Sequence, residues 1–250
     1  MLIPAFLLIA VLALLGWFVR NDGKEYERFK ALTRTEDRQR AFRRWTIKSF
    51  FLFSGASFAV LLLIGRLDTL VHFPAEFVGL SRMLSDGPDG FGLGLVLGLV
   101  GALFVGIPIG MAFRSRLLRG RPTPRPQKLL GDIAPLLPRS RDERKWTALL
   151  GTNAGLGEEL FFRLMLPLLI VEVGGGAILA FVAAGLIFGL VHFYQGWVGI
   201  AATTVIGFVF AGLYLASGTI WAPVILHALM NLNSLWLQPL LSERRTRAAA

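Results

Sequence analysis

Seven apolar runs divide this chain, and charged stretches separate the first four of them. Residues 2–19 are apolar and end at Arg20. No basic stretch precedes them and no small-residue cleavage site follows, so they read as a retained first helix rather than a removed signal peptide. The other runs cover residues 50–65, 91–113, 146–170, 176–193, 198–216 and 219–237. A helix needs about 20 apolar residues to cross a hydrocarbon core of about 30 Å. The pattern therefore predicts an all-α fold, a polytopic transmembrane helical bundle of about seven spans. Residues 67–84 lie between turn signals and read as a short interfacial or re-entrant helix. The glycines at 92, 94, 98, 101, 106 and 110 point to close helix packing in the third run.

Composition agrees. The chain is 54% hydrophobic and only 17% charged, whereas a soluble domain is about 25% charged. The net charge of +10 raises the question of nucleic acid, and the distribution of that charge argues against it. Residues 20–48 carry ten Lys/Arg with five acids and are read as too charged to be buried, partly a surface helix. Residues 114–145 carry ten more Lys/Arg around a proline-rich Arg-Pro-Thr-Pro-Arg-Pro, and three follow Ser242. Placing the N-terminus outside and the C-terminus in the cytoplasm puts 23 of the 26 Lys/Arg on the cytoplasmic side, as basic loops require. The expected partners are membrane lipid and a peptide or membrane-protein substrate, with no nucleic acid. No cysteine is present, which excludes disulfides, thiolate metal sites and a cysteine nucleophile. The organisation expected is an N-terminal membrane region over 1–145, a core over 146–240 and a basic tail over 241–250.

Candidate chemistry lies in the core. Gly155-Leu-Gly-Glu-Glu-Leu-Phe-Phe-Arg163 puts three ionisable groups inside an apolar run. Each costs roughly 2.5–3.5 kcal/mol at the centre of a bilayer, so they must face protein or a wet cavity. Glu159 and Arg163 are four apart, within ion-pairing reach on one helix face. Glu158 points about 100° away from Glu159, which leaves it available for chemistry. The fifth run ends Phe188-Gly-Leu-Val-His192, and the seventh contains His227-Ala-Leu-Met-Asn231. Polar groups in a bilayer need partners, so Glu158, His192, His227 and Asn231 are expected to converge from three helices. Taken singly, each has a plainer use: an isolated membrane histidine or Asn231 as an interhelical contact, and Glu159–Arg163 as a structural pair.

Glu-Glu-x-x-x-Arg, Phe-x-x-x-His and His-x-x-x-Asn, in that order, resemble the three motifs of the CPBP family of intramembrane proteases. That family includes the type II CAAX prenyl endopeptidases and the Abi-like bacterial proteins. The resemblance covers residues 146–240. It implies peptide-bond hydrolysis within the membrane: Glu158, helped by His192, activates water, and His227 and Asn231 donate to the oxyanion. Glu159, Arg163 and Phe188 are then supporting residues, and no cofactor is required. The alternative is a zinc ion on Glu158, His192 and His227, which are acceptable ligand types. However, no His-Glu-x-x-His is present and no carboxylate that would orient the histidines is evident. A non-enzymatic scaffold or immunity-type protein would use the same residues for packing or capture. A transporter fits less well, because no internal repeat is found.

Overall fold

A computed structural model describes residues 2–85 and 133–237, together with Gly94, Gly98 and Gly101. The predicted third span, most of the second basic stretch and the tail over 241–250 lie outside these residues. Every regular element among the described residues is helical.

The first element, α1, spans Leu2–Lys30. Next, α2 (Thr35–Ser49) runs through a π-helical turn (Phe50–Gly55) into α3 (Ala56–Leu63). A 3-10 turn at Leu67–Leu70 leads to α4 (Ala75–Ser85). The core begins with α5 (Arg141–Glu159), which continues through a second π-helical turn (Leu160–Met165) into α6 (Leu166–Glu172). There follow α7 (Ala177–Leu190), a 3-10 corner (Phe193–Gln195), α8 (Gly196–Ser217) and α9 (Trp221–Leu232).

Three helices among the described residues are long and apolar enough to cross a membrane: Leu2–Lys30, Thr35–Leu63 and Phe193–Ser217. The predicted fifth span forms α7, which at 14 residues is about 21 Å long. The region 67–84 does not form a span: α4 has 11 residues, roughly half the length a crossing needs.

The rod α5–α6 is the centre of the bundle. Residues 160–169 are buried without interruption, so this stretch is enclosed on all sides rather than along one stripe. Helices α2 and α9 pack along α5, and α1 and α7 along α6. Ser140 caps the rod by accepting from the Glu143 amide (3.3 Å), and Asp142 and Glu143 in the first turn complement the helix dipole. Pro167 removes one backbone donor at the start of α6, where the wide π-turn has already opened the ladder. Contact with α9 is made at the backbone. A Cβ on Gly155 would lie 2.6 Å from the Ala228 nitrogen, and one on Gly151 would lie 2.9 Å from Asn231 Cβ. Only glycine admits that approach.

The charged stretch 20–48 departs from its expected character as a largely exposed connection. It is helical apart from a short turn, and α2 buries Arg38, Ala41, Phe42, Trp45 and Thr46. Burial is tolerable because the Arg38 charge is paired with a carboxylate. Its Nε lies 3.0 Å from the Glu143 carboxylate, its Nη2 donates to the Pro135 and Leu137 carbonyls (both 3.1 Å), and the guanidinium lies 4.4 Å from the Phe29 ring centre. At the other end, Arg66 clamps Glu76 with two bonds (2.7 and 2.8 Å) and reaches Glu172 at 2.7 Å. This ties the loop before α4 to the end of the rod.

Both side chains of Arg38–Glu143 are wholly buried. Arg38→Met strands Glu143 and should cost roughly 3–5 kcal/mol of stability, read by denaturation in detergent. The double variant Arg38→Met/Glu143→Leu should recover most of that loss. The hydrogen bonds from Arg66 hold the Glu76 carboxyl below its ordinary value of 4.5. The stability this pair contributes is therefore complete above that pH and is lost as pH falls through the lowered value. Thermal scans on the acid side should show wild type losing its advantage over Glu76→Gln.

Candidate active site

The two carboxylates at the end of α5 have different surroundings. Glu159 is fully buried, whereas Glu158 keeps partial exposure. Glu159 sits between two partners. Its Oε2 is 3.0 Å from Arg163 Nε, the ion pair expected from the spacing, and its Oε1 is 2.7 Å from His227 Nδ1. A buried carboxylate facing an arginine accepts, so His227 Nδ1 carries the proton and donates it. The sequence reading found no carboxylate to orient a histidine. Glu159 is one, supplied from 68 positions earlier in the chain, a separation at which spacing carries no signal.

Arg163 is held from three other directions. Its Nη2 donates to the Gly207 carbonyl on α8 (3.2 Å), its guanidinium carbon lies 4.2 Å from the Phe188 ring centre, and Phe210 lies 5.7 Å away. Phe210 also stacks on the His227 ring, with centroids 5.1 Å apart and 28° between planes. Gly207 has to be small: a Cβ there would meet Phe188 at 2.9 Å and come within 3.6 Å of Arg163. Neither Gly207 nor Phe210 carried a sequence signal, because α8 is largely apolar and has no charged residue.

Phe188 has two further uses. Its carbonyl accepts from His192 Nδ1 (2.8 Å), and its ring lies 4.8 Å from the His192 ring. A carbonyl can only accept, which fixes the His192 proton on Nδ1 and turns Nε2 outward as a lone pair. Both histidines are thus anchored through Nδ1 with Nε2 available. Glu158 and His227 are both electrostatic neighbours of His192. Glu158 also acts on Arg163 and on Tyr194.

Asn231 lies one turn beyond His227 on α9. Its Nδ2 donates to the Gly151 carbonyl of α5 (3.0 Å), at the glycine that lets the two helices touch. One amide proton therefore joins helices, and the other proton remains for a ligand. The arrangement can take a proton at Glu158, orient a neutral imidazole at His192, and present donors from α9. Among the described residues, no group of three or more His, Cys, Asp or Glu side chains is placed to hold a metal ion.

Residues 143–233 match the family model described as type II CAAX prenyl endopeptidase Rce1-like. Neither the curated proteins nor the solved structures give a match to this chain.

Substituting Glu159→Gln removes the counter-charge of a buried arginine and the acceptor that orients His227. The expected cost is about 3–5 kcal/mol in detergent denaturation. A variant within about 1 kcal/mol of wild type would show that the Arg163 charge is neutralised elsewhere.

Proposed function

We infer the reaction from residues 143–233, which match the Rce1-like type II CAAX prenyl endopeptidase family, and read the chain as an integral membrane protease. The reading is an intramembrane endopeptidase of the glutamic type. Glu158 takes a proton from a water held between it and His192 Nε2, and the resulting hydroxide attacks the scissile carbonyl. His227 Nε2 and the second Asn231 amide proton donate to the oxyanion. Preorganised donors of this kind are each worth about 2.7–4 kcal/mol in the transition state. The proton on Glu158 then passes to the leaving amine.

The observation that carries this reading is the anchoring of the two imidazoles. His192 is fixed by the Phe188 carbonyl and His227 by Glu159, so each presents Nε2 without a conformational search. With its Nδ1 held by Glu159, His227 donates from Nε2 when that nitrogen also carries a proton. The basic stretches favour an N-terminus outside and a C-terminus in the cytoplasm, so His192 at the end of α7 opens the site to the cytoplasmic side. Peptides or membrane proteins reaching that face are the substrates, and a prenylated C-terminal tail is one chemistry to test. A non-enzymatic scaffold would use the same residues to hold a partner. It predicts no product from any substrate, and the precision of the histidine anchoring favours catalysis.

The test uses purified full-length protein in detergent with a farnesylated CAAX-tail peptide and a set of unprenylated membrane peptides. Wild type should release product from at least one of them, with activity surviving chelation. Glu158→Gln should lose activity at least about 100-fold while its unfolding profile stays unchanged. Retained activity in that variant rules out Glu158 as the base.

A further inference from the structure

The charged stretch 20–48 is helical, and its ion pairs leave a remainder. Glu25 pairs with Lys48, Glu27 with Lys30, Glu36 with Arg34 and Asp37 with Arg40, while Arg38 is taken by Glu143. The remaining acid, Asp22, is half-buried. Arg20, Lys24 and Arg28 on α1 and Arg43 and Arg44 on α2 are exposed, and they form no ion pair with a described residue. The three on α1 recur every fourth position and so share one face. Just before them, the large exposed residues of α1 are Leu12, Leu14 and Trp17. Just after Arg44, the exposed residues turn apolar at Ile47, Phe50 and Phe51. The two helices are in register, because Lys48 Nζ lies 5.8 Å from the Trp17 ring centre and 4.8 Å from that of Phe18. The change from apolar to cationic surface therefore falls at one level on both. That level adjoins the corner following His192: a Cβ on Gly23 would lie 2.5 Å from the Phe193 ring, and Tyr26 packs on Tyr194 with centroids 4.9 Å apart.

We propose that Arg20, Lys24, Arg43 and Arg44 bind the phosphate headgroups of anionic phospholipids at the membrane surface beside the candidate site. The inference rests on α1 and the helix through α2 and α3 being spans, and not on which residue acts as the base. Depth along the helices selects these four. The polar layer on each side of a bilayer is about 5–7 Å deep. Arg20 lies three residues past Trp17, about 4.5 Å along the axis, and Arg44 and Arg43 lie about 4.5 and 6 Å from Ile47. Lys24 lies about 10 Å past Trp17, and its long stem reaches back toward the headgroups. Arg28, at about 16 Å, stands clear of the layer. A guanidinium grips a phosphate with paired hydrogen bonds, and cations at a membrane surface are attracted to anionic lipid. An acidic peptide would meet the same charges, but the cations follow directly on lipid-length apolar surface, which places lipid headgroups against them first.

The experiment reads lipid selection directly. Full-length protein is reconstituted in phosphatidylcholine vesicles, and electron paramagnetic resonance measures how much spin-labelled phosphatidylglycerol, against spin-labelled phosphatidylcholine, is immobilised at its surface. Wild type should prefer the anionic lipid at least about twofold at low salt, and the preference should fall at high salt. The variant Arg20→Gln/Lys24→Gln/Arg43→Gln/Arg44→Gln should bring the two lipids to parity, whereas Arg28→Gln should keep the preference. Should the fourfold variant fail to fold, Arg20→Gln/Lys24→Gln and Arg43→Gln/Arg44→Gln should each lose part of it. Absence of any preference in wild type overturns the proposal, as does a preference that survives neutralisation of these residues. Equal loss in Arg28→Gln overturns the placement at headgroup depth. Failure of both paired variants to fold overturns it too, since the cations would then be structural. Binding of a soluble polyglutamate peptide without lipid preference would assign the surface to acidic peptides instead. Loss of activity in Glu158→Gln bears on the reaction alone and leaves this test untouched.

Discussion

A guanidinium buried in a membrane bundle needs a counter-charge, and the chain His227–Glu159–Arg163 supplies it. One carboxylate neutralises an arginine on the same rod and fixes the proton of a histidine on another helix. The Gly207 carbonyl and the Phe188 ring complete the enclosure from α8 and α7. Four helices are thereby tied to one charge. Breaking any of these contacts leaves ionised groups where their solvation is poor, which is why the arrangement has a defined geometry and not a range of packings.

The difference between the two adjacent carboxylates follows from that constraint. Glu159 is fully engaged and serves as framework. Glu158, one residue earlier, turns away from the arginine and retains contact with solvent. Adjacent positions on a helix are separated by about 100°, so one dipeptide can serve two environments. The backbone approach of α5 to α9 at Gly151 and Gly155 fixes the distance between the acid on one helix and the His227/Asn231 pair on the other. Side chains at those two positions would force the helices apart.

Much of this could be read from the chain itself. The membrane class, the bundle and the Glu159–Arg163 pair follow from hydropathy and spacing, because both are local properties. The Glu159–His227 bond could not be read, since nothing in spacing relates positions on different helices. Gly207 and Phe210 are indistinguishable from ordinary apolar packing until Arg163 is seen against them. The burial of Arg38 within the charged stretch 20–48 was illegible for the same reason. Its partner Glu143 lies 105 positions away, and without that partner a charge reads as exposed. The boundaries near Leu160 were also illegible, because a π-turn has no composition of its own.

The continuous enclosure of residues 160–169 bears on biogenesis. This segment carries Glu159 and Arg163 immediately at or within its most hidden stretch, and their solvation comes from α7, α8 and α9, which are synthesised later. The rod cannot partition into lipid on its own merits in the way that α1 can. Its charges are fully enclosed only once the downstream helices pack against it. Burial of those charges and tertiary assembly are therefore coupled for this part of the molecule.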